Sequence, residues 1–368
     1  MRGRTKDIPD TRGRAMCALR GALDARALMT PGGAINARGL LPPGRPLAAR
    51  GILAPRAARA LLGAIGAALL LGACGQRMEL PPQPETPLVT PEPGTYNLKG
   101  VWTLPRPTDL AVFGLYLFVV EENLRLGAYY TTRSSPTTPP MISPFEGLLG
   151  PVQVALAKRD SLFVVVADSA DMRCKIYYWL GGPPLHSFTD TLWVGFNGLA
   201  ADADLRIYVA DAARNVIQAY DRWGRRLHAV STYGTGSGYV IAPHGLAHNG
   251  THLVVADTGK NWVQRLRPDA TSVAAIPQPI GFEAGSLTAP EDVAVDRYGE
   301  FIYVADTGGQ RVLKFLTTGA LQDTVYSPAK IDLAPPLRAP RHVCSEDSLV
   351  FVSDPDADRL LLLELKPL

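Results

Sequence analysis

From residue 107 to residue 366 the chain is built of short apolar runs that alternate or carry β-branched and aromatic residues, separated by turns. Six of these runs end on an acidic residue and then turn: VVEEN at 119–123, VVADSAD at 165–171, YVADAARN at 208–215, VVADTGKN at 254–261, YVADTGGQ at 303–310 and FVSDPDAD at 351–358. The anchoring acids are Glu121, Asp168, Asp211, Asp257, Asp306 and Asp354, spaced 47, 43, 46, 49 and 48 residues apart. A regular period in this range marks a repeat architecture.

One repeat reads as four short strands. In the fifth copy, Pro290–Asp296 (PEDVAVD) alternates and Phe301–Ala305 (FIYVA) is aromatic and β-branched. Asp306–Gly309 is a turn, Gln310–Leu316 alternates again, and Gln322–Tyr326 follows a second turn. No segment of the repeat sustains a helical period. Four strands in about 45 residues is the size of a β-propeller blade. Each copy opens on an equivalent inner-strand segment: PTDLAV at 107–112, PVQVAL at 151–156, FNGLAA at 196–201, PHGLAH at 243–248, PEDVAV at 290–295 and PRHVCS at 340–345. The six acids are expected to be structural, because a carboxylate at such a turn accepts backbone N–H groups and fixes the hairpin.

This pattern resembles the NHL repeat, whose blades carry a P-x-G-(L/V)-A opening and a V-A-D-x-x-x-N-x-(R/V)-V hairpin. The resemblance is strong at 243–266 and 290–316, fair at 196–220 and 340–365, and weak at 107–130, where Glu121 replaces the Asp and Gly127 interrupts the third strand. It implies an all-β, six-bladed propeller over residues 96–368. The last copy ends on a third strand, Arg359–Lys366, while Tyr96–Leu104 has no blade of its own. That N-terminal strand is expected to close the ring by pairing with blade six, since closure removes exposed sheet edges.

The front of the chain differs. Residues 1–50 are rich in Arg, Ala, Gly and Pro without an apolar face, and are expected to be disordered or a spurious upstream extension. Arg50, Arg56 and Arg59 then precede the apolar run Ala60–Ala73 and Cys74. A basic region, a short apolar run and small residues make a signal peptide over 51–73. Leu71-Gly72-Ala73-Cys74 resembles a bacterial lipobox, which implies that Cys74 is lipidated with fatty acyl chains such as palmitate. An ordinary cleaved signal or a signal anchor are the alternatives. Residues 74–95 carry Pro81, Pro82, Pro84, Pro87, Pro91 and Pro93, an extended spacer. The expectation is a domain held off a membrane of the cell envelope, at the periplasmic face of the outer membrane or at the cell surface.

Charge supports this division. Residues 1–73 hold 12 Lys and Arg against 3 Asp and Glu, so they carry +9, while the whole chain carries +3 and the remainder −6. No basic stripe for nucleic acid follows. Cys174 and Cys344 fall in blades that are not neighbours and are expected to be separate buried thiols.

The residues just after each blade opening are the candidates for chemistry. Asn197, His244, Glu291 and Arg341 sit at equivalent positions of consecutive blades. They are expected either to line a wet channel or to bind a polar ligand. Asn197, His244 and Glu291 have the chemistry to hold a divalent ion, Ca²⁺ or Zn²⁺. Asp109, Asp292 and His342 rank lower, because strand alternation should turn them from the axis. Pro243-His244-Gly245-Leu246-Ala247 is similar to a histidine motif of the peptidyl-hydroxyglycine lyases, but Glu291 and Arg341 stand where that family has further zinc ligands. Asn197 and Glu291 are residue types that gluconolactonase-like propellers place around a divalent ion. Two functions follow as expectations: a monomeric, non-enzymatic module binding a protein, peptide or glycan, or a metal-dependent hydrolase or lyase.

Overall fold

The computed structural model describes residues 96–123, 125–269, 287–333 and 335–366. They form six antiparallel sheets, one per repeat. Blade one holds β2 (Pro107–Phe113), β3 (Tyr116–Glu121) and β4 (Arg125–Tyr130). Blade two holds β5 (Pro151–Lys158), β6 (Leu162–Asp168), β7 (Arg173–Tyr178) and β8 (His186–Phe188). Blade three holds β9 (Gly198–Ala201), β10 (Ile207–Asp211), β11 (Val216–Tyr220) and β12 (Arg226–Ser231). Blade four holds β13 (Pro243–His248), β14 (Leu253–Asp257) and β15 (Trp262–Leu266); the segment where a fourth strand was expected lies outside the described residues. Blade five holds β16 (Pro290–Val295), β17 (Phe301–Asp306), β18 (Arg311–Leu316) and β19 (Leu321–Tyr326). Blade six holds β20 (Val343–Glu346), β21 (Leu349–Asp354) and β22 (Arg359–Leu365), and its outermost strand is β1 (Tyr96–Thr103). The ring therefore closes as expected, with Tyr96 opposite Leu365 and Thr103 opposite Arg359. Blade one departs from the four-strand expectation: after β4 the chain runs as turns and loop through residue 150.

Packing explains why the second strands read as unbroken apolar runs. Each is buried on both faces, so both sets of alternating side chains are apolar. In β6, Val164 and Val166 join the core shared with blade one, and Val165 and Ala167 join the core shared with blade three. Such a core fills every junction between neighbouring blades around the ring. At the closure, Leu110, Leu117 and Val119 of blade one meet Phe351, Leu360 and Leu362 of blade six, with Trp102 of β1 fully buried among them.

The hairpin acids act on the loop that leads into their own blade. Asp168 accepts the Leu149 N–H at 2.7 Å, Asp211 that of Val194 at 2.8 Å, Asp257 that of Ile241 at 2.8 Å, Asp306 that of Thr288 at 2.6 Å and Asp354 that of Arg338 at 3.2 Å. Blade one breaks the pattern for a covalent reason. Pro105 occupies the equivalent loop position and has no N–H to give. Glu121 turns instead to Arg125 and the Tyr129 hydroxyl. Gly127 does not interrupt β4, which pairs through it with Val119; a Cβ there would come within 2.4 Å of Glu121 Oε1, so glycine makes room for the longer acid.

Candidate functional site

The inner strands β2, β5, β9, β13, β16 and β20 surround a central channel of about 200 Å³. Asp109, Gln153 and Asp292 line it beside small and aliphatic side chains such as Ala155, Ala200 and Val293. All the hairpin turns carrying the acids, and all the loops entering the inner strands, lie at one end of the strands and define one face of the disc.

Strand alternation misplaces the channel residues because the inner strands of blades one, two, four and five are bulged at their openings. The pairing register slips between Pro107 and Asp109, Pro151 and Gln153, Pro243 and Leu246, and Pro290 and Asp292. A bulge inserts a residue and breaks the two-residue period. As a result Asp109, Gln153 and Asp292, each third in its opening, line the channel instead of turning away, and His342, third in the opening of blade six, meets Asp109 and Asp292. His342 Nδ1 lies 3.1 Å from Asp109 Oδ1 and 3.7 Å from Asp292 Oδ2. Both carboxylates are buried and fixed by backbone: Asp109 accepts Leu110 N–H at 2.8 Å and Val154 N–H at 2.7 Å, and Asp292 accepts Val343 N–H at 3.0 Å. The bonds from Val154 and Val343 tie the inner strands of blades one and five to those of blades two and six. Gly245 permits the arrangement, since a Cβ would fall 2.0 Å from Asp292 Oδ1.

Electrostatics place the triad's proton on the imidazole. Burial alone would lower His342, but Asp109 and then Asp292 outweigh it and push it up to about 10. Burial raises Asp292, with the charge of Asp109 adding to it and His342 opposing. An imidazolium between two carboxylates relieves their mutual repulsion.

The four residues singled out from sequence sit at the second position of the openings, each partly exposed. Arg341 Nη1 is 3.6 Å from Glu291 Oε2, and Nη2 is 3.8 Å from Asp356 Oδ2. Its Nε is buried without a hydrogen-bond partner. Burial lowers the pKa of His244; Glu291 opposes that shift, while His342 and Arg341 add to it, so the ring is neutral at pH 7. Asn197 is committed elsewhere: its Oδ1 accepts the Ala212 N–H at 3.0 Å, fixing its own hairpin. Among the described residues, the His, Cys, Asp and Glu side chains whose ligand atoms gather within 4.8 Å are Asp109, Asp292 and His342, a set without Asn197, His244 or Glu291.

Cys174 and Cys344 are free and buried. Trp102, Trp179 and Trp193 pack in the cores, whereas Trp223 is 64% exposed in the β11–β12 turn. The glycine-rich 234–238 loop is held by Lys260 Nζ on the Gly236 carbonyl and by the Gly238 N–H on Gln264. Among the described residues no helix is long and apolar enough to cross a membrane. Cys74, the signal peptide and the proline-rich spacer lie outside the described residues.

The chain is thus a six-bladed β-propeller. It is similar in structure to a chain of hydrazine synthase from Kuenenia stuttgartiensis, at 12% identity, covering 71% of this chain and 96% of that one with a TM-score of 0.50. It is also similar to a protein of unknown function from Bacteroides thetaiotaomicron VPI-5482, at 15% identity, covering 72% of this chain and 70% of that one with a TM-score of 0.52. At these identities the likeness is one of fold alone. No family model matches the chain, and no curated protein matches it.

Proposed function

We propose that this is a lipid-anchored, NHL-type propeller of the cell envelope that binds a protein, peptide or glycan at the channel mouth on the loop-entry face. The observation that carries the binding role is Arg341: a half-exposed guanidinium whose carboxylate neighbours stand at 3.6 and 3.8 Å, beyond hydrogen-bond reach, and whose Nε has no partner. The two Nη groups, which make no close hydrogen bond to these carboxylates, suit a ligand carboxylate or sugar hydroxyl. Leu149 and Val194, 55% and 65% exposed, stand on the same face, on the entry loops of blades two and three, and offer apolar contact there. The hydrolase or lyase reading is weaker, because Asn197 has its amide oxygen engaged and His244 with Glu291 supplies only two ligands.

Arrays of peptides and glycans probed with the purified full chain should reveal a saturable ligand whose affinity drops about tenfold in Arg341→Ala, roughly 1.4 kcal/mol. Arrays without a saturable ligand, or an unchanged affinity, would sink the binding role. The anchor is tested apart from it: Cys74→Ala should move the protein out of the membrane fraction, and retention there refutes lipidation.

A further inference from the structure

Two buried carboxylates that line the channel meet one buried imidazole nitrogen. The ligand atoms of Asp109, Asp292 and His342 all lie within 4.8 Å of one another, with His342 Nδ1 at 3.1 and 3.7 Å from the two carboxylate oxygens. A tetrahedral zinc with bonds of about 2.0–2.2 Å spaces its ligands about 3.3–3.6 Å apart, and the two distances from His342 Nδ1 lie on either side of that range. His342 Nδ1 is shielded from solvent and has no partner in hydrogen-bond geometry, with Asp292 Oδ2 at 3.7 Å. The carboxylates are held by the backbone N–H groups of Leu110, Val154 and Val343. A carboxylate offers about four lone-pair sites, so those bonds leave room for a metal.

We propose that Asp109, Asp292 and His342 form a divalent metal site of the zinc class that ties blades one, five and six together at the channel mouth. The charges balance: two carboxylates and a neutral imidazole neutralise one M²⁺, whereas the same carboxylates around a proton leave a buried negative charge. One nitrogen and two oxygens favour Zn²⁺ over Ca²⁺, which takes oxygen ligands. The fourth position is left for water or a ligand group from the channel. This site is distinct from Arg341 and does not depend on the binding role proposed above.

The test titrates Zn²⁺ into the full chain after chelator treatment, by calorimetry and by elemental analysis after dialysis. One equivalent should bind, and the thermal midpoint should rise with Zn²⁺. Asp292→Asn and His342→Gln should each weaken binding by about tenfold or more, equivalent to about 1.4 kcal/mol. Glu291→Gln and His244→Ala should bind as the parent does, which shows that a loss is local. If His342→Gln does not fold, Asp292→Asn, close in shape, decides alone. Absence of stoichiometric Zn²⁺, or loss of binding only in Glu291→Gln or His244→Ala, would overturn the site and leave an Asp–His–Asp ionic triad.

Discussion

Asn261 reaches across a blade boundary: its Oδ1 accepts the backbone N–H of Ala289 at 2.7 Å, joining the hairpin of blade four to the entry of blade five. Both residues have positive φ, 59° and 48°. Asn215 does the same for Ala242, and Asp358 for Arg106 where the last blade meets the first. One local motif thus stitches successive blades, including the pair at the closure. Asn is suited to it because it tolerates the left-handed region and carries an acceptor.

Asn261→Gly keeps the backbone conformation and removes only the acceptor, so it should cost about 1 kcal/mol. Asn261→Ala also adds left-handed strain and should cost about 1–2 kcal/mol more. Chemical denaturation of both variants separates the two contributions. Equal losses would show that the backbone conformation contributes nothing.

Trp102 lies edge-on to Phe351 and Tyr129, 6.4 and 5.9 Å between ring centroids, and is fully buried at the closure. Trp102→Ala should cost about 3–5 kcal/mol, the usual range for an aromatic deleted from a core. A surface control, Trp223→Ala, should change stability by less than about 0.5 kcal/mol. Thermal and urea unfolding compare the two; a Trp102→Ala loss as small as the control's would mean that β1 does not seal the ring.

Glu346 is buried, with Asp347 beside it and Arg297 Nη1 no closer than 3.9 Å. Burial, then the charge of Asp347, pushes its carboxyl from 4.5 up to about 7. In the unfolded chain it ionises near 4.5, so between those values the folded state binds the extra proton. Stability from this group is therefore lost as pH rises through that window. The shift corresponds to about 3 kcal/mol as an upper bound. Glu346→Gln should be more stable than the parent at pH 8 and no more stable at pH 4. Parallel denaturation curves at the two pH values would refute the shift.

The blades were legible in the sequence because each is specified locally. An acid such as Asp306 and the N–H it holds on Thr288 lie 18 residues apart, within one repeat. The channel residues were not, because their placement depends on the bulges at the strand openings, which move Asp109 and Asp292 out of the phase that plain alternation predicts. Meeting His342 is also a long-range event: Asp292 and Val343 are 51 positions apart. Glu121 stood out in sequence as a departure, but its cause, Pro105 without an N–H, shows only once the loop is seen against the hairpin.

The pairing of β1 with β22 has a consequence for how the molecule is made. Tyr96 waits for Leu365, so the outermost strand of blade six has no partner until nearly all the intervening chain has been synthesised. Contacts that span such a distance slow folding. Until β22 is made, β1 remains an unpaired edge and the disc stays open, so the last strand of the chain is also the seal of the ring.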